Sequence, residues 1–190
     1  MENFIAQVKS WTSTIPKVNE WQRTLLQAVC ASWGIALAAQ LTVPCYPVPI
    51  TMQNFAVMLL GLRASPRVAL SAVLLYLAYG LGGLPVFAST NVGWVVFSSP
   101  AAGYLVGYCF MAWIIASLTQ RHPGSGLWRR FGYVLLGAVG LYVTGLCWLA
   151  HFVGWQVALQ TGLLPFVGVL PAKAALAAYL TTPRARSAKS

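Results

Sequence analysis

Acid is almost missing from this chain. Glu2 and Glu20 are its only carboxylate side chains in 190 residues, there is no aspartate, and histidine occurs twice, at His122 and His151. Paired carboxylates for general acid–base chemistry, an Asp/Glu/His relay for proton pumping and a histidine-rich zinc motif are all excluded. With no catalytic constellation left, the sequence argues against an enzyme. The four cysteines, Cys30, Cys45, Cys109 and Cys147, stand singly and far apart, which suggests neither a metal site nor a disulfide framework. No Gly-x-x-x-x-Gly-Lys-Ser/Thr loop occurs, so any energy source must be a gradient or another subunit. Charge of either sign is scarce. At 7% charged, against roughly a quarter in soluble domains, the chain lacks the means to cover a water-facing surface.

What it has instead is apolar length. The composition is 58% hydrophobic and the formal net charge is +10, but the basic residues are punctuation between apolar tracts and not a nucleic-acid-binding patch. Residues 24–62, 68–120 and 131–172 carry no charge at all. Each is long enough for two membrane-spanning helices of roughly 20 residues with a turn between them. The sequence predicts an all-α integral membrane protein: one domain over 1–190, six transmembrane helices arranged as three hairpins. Breakers place them at about 24–41, 52–62, 68–83, 100–119, 131–153 and 165–181. The second is short, spanning roughly 16 Å at 1.5 Å per residue.

Orientation follows from where the basic residues fall. Lys9, Lys17 and Arg23 precede the first helix; Arg63 and Arg67 separate the second and third; Arg121, Arg129 and Arg130 separate the fourth and fifth; Arg184, Arg186 and Lys189 follow the last. Eleven of the twelve basic residues thus lie on one side, and the positive-inside rule puts both termini in the cytoplasm. Residues 1–23 form a cytoplasmic N-terminal segment and 182–190 a basic cytoplasmic tail. Ala36-Leu37-Ala38 resembles a signal-peptide cleavage site, yet the 23-residue lead is long for an n-region. The hairpin count works with the helix retained. Trp11, Trp21, Trp94, Trp128 and Trp155 fall at helix ends or in loops, where indole rings anchor at the membrane interface.

Two external loops offer a place for a small ligand. Residues 42–54 contain Pro44, Pro47 and Pro49, which dictate a stiff, extended path. The neutral polar groups Thr51, Gln53 and Asn54 follow as the second helix begins; Thr51 also reads as a helix N-cap. Residues 80–94 are too apolar for a solvated connection and are expected to fold back onto the bundle. There Phe87 and Trp94 are placed to cover an apolar ligand, and Ser89, Thr90 and Asn91 to hydrogen-bond its polar end.

Lys173 is the one basic residue inside an apolar tract. Ionisable residues in spans are costly and mark functional sites; the bland alternative is snorkelling to the interface. Pro171, two residues earlier, suggests that Lys173 sits in the opening turn of a helix, where the dipole and the ammonium together favour an anion. Since no span carries a carboxylate, the counter-charge is expected to arrive with the substrate. Small residues form ridges at Ala28, Ser32 and Ala36, and at Ser99, Gly103 and Gly107. Such ridges allow close approach of helices, either within the chain or to a partner protein.

Pro47-Val48-Pro49-Ile50-Thr51-Met52-Gln53, Tyr76 to Gly80 leading into Gly83-Leu84-Pro85-Val86-Phe87-Ala88, Pro100 to Leu105, Tyr142-Val143-Thr144-Gly145 with Trp148-Leu149, and Gly162 to Phe166 followed by Lys173 together resemble the BioY family. Members are biotin-specific substrate-binding (S) components of energy-coupling-factor (ECF) vitamin transporters. The resemblance runs in order over about residues 24–181. It implies a multi-pass protein of the bacterial cytoplasmic (inner) membrane that captures biotin from outside under the two external loops. The implied partners are a transmembrane coupling subunit and two ATPase subunits, whose nucleotide cycle tilts the binding component and releases vitamin inward. Some bacteria hold the binding component without dedicated partners. The family's small-residue motif on the first helix, which contacts the coupling subunit, is similar to Ala28-x-x-x-Ser32, and Ala36 continues that ridge as a candidate subunit interface. Two departures stand out. Leu170 occupies the position of the family's aspartate, three residues before the lysine, and the Gly-Pro-Thr-Gly-Gly-Tyr segment here reads Ser99-Pro100-Ala101-Ala102-Gly103-Tyr104.

The expected site therefore pairs Lys173 with the valerate carboxylate of biotin. Thr51, Gln53, Ser89, Asn91 and Tyr104 offer hydrogen bonds, and Phe87, Trp94 and Trp148 enclose the apolar rings. The ligand is cargo; no cofactor, metal or nucleic acid is expected, and the surrounding partner is the lipid bilayer. The rival readings are an S component for another acidic vitamin and a ligand-free structural membrane subunit.

Overall fold

The computed structural model describes residues 19–43, 49–88 and 92–183. Helix α1 spans Glu20–Gln40 and is followed by two short antiparallel strands, β1 (Thr42–Val43) and β2 (Ile50–Thr51). Then come α2 (Gln53–Arg63), α3 (Pro66–Leu81), a 3-10 segment at Trp94–Ser98, α4 (Ala102–Arg121), α5 (Leu127–Val153), α6 (Trp155–Gly162) and α7 (Leu164–Thr181). The six expected helices correspond to α1 to α5 and α7; α6 is additional. Among the described residues, α4, α5 and the stretch Trp155–Thr181 are long and apolar enough to cross a membrane, and α3 is a shorter apolar helix.

Local chemistry explains most boundaries. Charge ends a hydrophobic tract but not a helix, so α1 begins at Glu20, earlier than the apolar run, with the Asn19 N–H donating to Gln22 Oε1 at 3.1 Å. Ser65 caps α3 through Oγ, which accepts from the Val68 N–H at 3.4 Å, and Pro66 supplies a preset first helical φ. At the end of α5 the chain turns at Gly154, whose φ of +79° is a conformation that side-chain-bearing residues resist. Beyond it, residues 155–162 contain no breaker before Gly162, and so fold as α6 where a loop was expected. Pro171 lies inside α7. Loss of one backbone donor does not end a helix supported by its neighbours, so Lys173 is a mid-helix residue. The expected contribution of a helix N-terminus to its charge is therefore absent.

The bundle is built on a close α4–α5 seam. A methyl group added at Gly107 would lie 2.8 Å from Leu141 O, and one at Gly137 3.1 Å from Met111 O. One at Gly103 would lie 2.6 Å from Thr144 O. The Gly103 and Gly107 ridge is thus spent on internal packing. The same holds for α1: Ala28, Ser32 and Ala36 are 0, 0 and 4% exposed, inside the bundle where α1 packs against α2 and α3. These small side chains let helices of one chain approach.

Arg130, expected in a solvated loop, is 4% exposed. Its guanidinium donates to Ser125 O at 3.0 Å, Pro123 O at 3.1 Å and Leu62 O at 3.2 Å. It thereby ties the α4–α5 connection to the C-terminal end of α2, whose unpaired carbonyls favour a cation. Arg63 joins the same end of α2 to α7 through Leu180 O at 3.0 Å. The tryptophans at helix ends are exposed: Trp21 83%, Trp94 74%, Trp128 80% and Trp155 60%. Trp11 lies outside the described residues.

Candidate ligand-binding site

At the end of the bundle opposite Arg130, the first loop returns as a hairpin. Thr42 pairs with Thr51 and Val43 with Ile50, delivering the chain into α2. The residue preceding α2 is Met52, which makes no side-chain cap; Thr51 is a strand residue and not the N-cap. Thr51, Gln53 and Asn54, at 8, 2 and 6% exposure, consequently face the interior. Pro44 and Pro47 lie outside the described residues.

The second loop folds back as expected. Val86 and Phe87 are buried, and the Phe87 ring lies edge-on to Tyr76 with centroids 5.4 Å apart, an arrangement aromatic pairs favour. Gly80 makes this possible, because the Phe87 ring occupies the space a β-carbon would need. The loop's ends meet where the Gly93 N–H donates to Gly80 O at 2.8 Å. Gln40, the last residue of α1, donates through Nε2 toward the carbonyls of Pro85, Val86 and Phe87 at 3.4, 3.2 and 3.3 Å. It was not visible as a functional residue in the sequence, since a glutamine at a helix end carries no pattern.

Between these loops and α4 lies a cavity of about 160 Å³. Pro49, Thr51 and Gln53 form one wall, Phe87 and Ala88 another, and Val96, Ser99, Ala101, Tyr104, Leu105 and Tyr108 the rest. A smaller chamber of about 30 Å³ adjoins it, sharing Pro49, Thr51, Tyr104 and Tyr108 and adding Asn54, Leu141, Tyr142 and Phe166. Buried polar groups in native proteins are nearly always paired, yet Gln53 Nε2 and the Tyr142 hydroxyl have no partner among the described residues. Both border these spaces. The Tyr104 hydroxyl, by contrast, donates to Gly162 O at 2.9 Å.

Lys173 reaches this region from α7. Its Nζ donates to Thr51 O at 2.8 Å and to Asn54 Oδ1 at 3.1 Å. It turns inward and does not snorkel. Both partners are neutral oxygens, and the one acidic residue among those described, Glu20, stands at the start of α1.

The structure therefore brings together Lys173, Thr51, Gln53, Phe87 and Tyr104 of the expected site. It does not bring in Trp94, 74% exposed, or Trp148, 41% exposed. The Trp148 indole is partly exposed and its N–H donates to Ser99 O at 3.0 Å, while its Cβ and Cγ lie against Gly103 in the α4–α5 seam. Ser89 and Asn91 lie outside the described residues. Asn54, Tyr108, Tyr142 and Phe166 join the site. Of these, Asn54 carried a sequence signal through its place beside Gln53; the others are ordinary aromatics whose facing depends on helix rotation.

Comparison with known proteins agrees with this architecture. Residues 9–190 match the BioY family. The probable biotin transporter BioY of Pyrococcus horikoshii is 34% identical over 76% of this chain and 85% of its own. The biotin transporter BioY2 of Lactococcus lactis is 33% identical over 75% and 79%. Among solved structures, the S-component for biotin from an ECF-type ABC transporter superimposes with a TM-score of 0.76 at 25% identity, covering 84% of this chain and 89% of that one. Sequence motifs, helical architecture and relatives converge: the chain belongs to the BioY family.

Proposed function

We propose that this chain captures biotin outside the cell and carries it across the membrane as the S component of an ECF-type transporter. The observation that carries the reading is the half-buried Lys173 ammonium, held by neutral oxygens of Thr51 and Asn54, two residues that line the cavities, with no carboxylate near it among the described residues. Even a half-buried charge without a counter-ion is costly, and the carboxylate of biotin supplies the missing sign. The larger cavity, with Phe87, Leu105 and Tyr108 on its walls and the unpaired Gln53 amide, suits a compact ring system with a polar edge. Thr51 and Tyr104 border it.

The charge pattern supports six transmembrane helices in three hairpins with both termini in the cytoplasm, in the inner membrane of a bacterium. The biotin S-component likeness supports assembly with a coupling subunit and two ATPase subunits. Isothermal titration of purified protein tests the reading. Biotin is expected to bind, thiamine, riboflavin and pantothenate are not, and Lys173→Ala should weaken biotin by tenfold or more, since hydrogen bonds to charged groups contribute about 1.5–3 kcal/mol. Unchanged affinity in that variant removes the ion pair.

A further inference from the structure

At the Arg130 end of the bundle, away from the ligand cavity, the starts of α1 and α3 and the end of α4 enclose a cleft of about 660 Å³. Glu20, Arg23, Thr24 and Gln27 line it from α1, Arg67 from α3 and Gln120 from α4. The four α1 residues fall at i, i+3, i+4 and i+7, so one helix face presents them all. Arg63 and Arg130 spend their guanidinium donors on protein carbonyls. Those of Arg23 and Arg67 have no protein acceptor among the described residues. Two guanidinium groups against one carboxylate leave the cleft with a net charge of +1. A phosphodiester of charge −1 balances it, and a zwitterionic headgroup does not. Seven residues along each helix, Leu74 returns to the face of Arg67 and Trp113 to the face of Gln120, and both are 51% exposed. At 1.5 Å per residue that is about 10 Å, close to the roughly 5–8 Å of headgroup layer on each side of the hydrocarbon. A charged cleft over an apolar stripe has the two-part chemistry of a phospholipid; a soluble anion uses only the cleft.

We propose that this cleft is a binding site for an anionic phospholipid. Arg23 and Arg67 hold the phosphodiester between two helices, a charge-assisted contact for which guanidinium geometry is suited. Thr24, Gln27 and Gln120 hydrogen-bond the rest of the headgroup, Glu20 accepts from its hydroxyl groups, and the acyl chains run over Leu74 and Trp113. Basic pockets between transmembrane helices on the cytoplasmic side take such headgroups, and the orientation proposed for this chain puts the cleft on that side. The lipid bridges α1, α3 and α4 at the end of the bundle opposite the biotin cavity, so the site is independent of the biotin reading.

Native mass spectrometry of the full chain in detergent provides the test, with phosphatidylglycerol, phosphatidylethanolamine and phosphatidylcholine of matched acyl chains supplied in turn, and glycerol 3-phosphate as the headgroup alone. Wild type should retain one phosphatidylglycerol about tenfold or more in preference to the two zwitterionic lipids. The double variant Arg23→Gln, Arg67→Gln should lose that preference. Arg67→Gln alone, at an exposed residue without a protein acceptor, should lose part of it and serves if the double variant is unstable. Arg129→Gln, exposed and outside the cleft, should keep it. Equal retention of all three lipids, no retained lipid, or an equal loss in Arg129→Gln overturns the site. Glycerol 3-phosphate binding as tightly as the lipid makes the cleft a soluble-anion site and overturns the proposal too.

Discussion

The ammonium of Lys173 and the backbone oxygen of Thr51, 122 residues apart in sequence, meet at 2.8 Å. This contact and its companion to Asn54 Oδ1 at 3.1 Å join the middle of α7 to the hairpin that opens α2. The lysine is held against two residues that line the cavities before any ligand contact is considered.

Removing the side-chain acceptor should therefore mislead the lysine without removing it. Asn54→Leu leaves Lys173 with the Thr51 carbonyl alone, and an under-satisfied buried charge costs about 1–3 kcal/mol or more. Thermal unfolding of the purified variant should show a lower midpoint, and titration a weaker biotin affinity. A variant as stable and as tight as wild type would show that Asn54 does not position the ammonium.

Phe87 and Trp148, two of the three aromatics expected to enclose ligand, should separate sharply. Phe87 is 2% exposed and lines the cavity, so Phe87→Ala should destabilise by about 3–5 kcal/mol and abolish measurable binding. Trp148→Phe, at a partly exposed site bonded to Ser99 O, should leave biotin affinity within about twofold, because Trp148 itself does not line the cavity and the loss of one exposed hydrogen bond costs about 0.5–1.5 kcal/mol. Comparable binding losses in both would restore Trp148 to the site.

Gly145 sets the position of Tyr104. A β-carbon there would lie 2.7 Å from Tyr104 Cγ, so Gly145→Ala should push the ring toward the cavity it lines. Overpacking of this kind costs about 1–3 kcal/mol. Both the unfolding midpoint and biotin affinity should drop, whereas Gly168→Ala, where a β-carbon meets open space, should change neither.

Arg130 tests the opposite end of the bundle. Arg130→Lys replaces a planar fork serving three carbonyls with a single ammonium that lacks its geometry. Stability should fall by about 1–3 kcal/mol for carbonyls left unpaired, with biotin affinity in the surviving folded protein little changed. A loss of affinity without loss of stability would mean that the end of α2 communicates with its beginning.

Much of this was legible in the amino-acid order. Uncharged tracts between basic loops gave the apolar helices, the Gly and Pro content of residues 80–94 gave a loop that covers the bundle, and the lone Lys173 gave the charged centre. Other features depend on rotation about a helix axis, which composition does not encode. Whether Tyr142 or Trp148 looks inward on α5 is decided by where Gly137 and Gly145 let α4 approach. The small ridge on α1 has one sequence whether it meets a partner or its own chain, and burial alone assigns it inward. Chain order determined that this protein is apolar, helical, basic on alternate connections and centred on one lysine, because those properties follow from local hydrophobicity and charge. Tertiary structure decided which neutral oxygens receive that lysine, which aromatics enclose space and which face outward, and where a helix continues through Pro171. Such outcomes arise from packing between segments distant in sequence, so they are settled only when the helices meet.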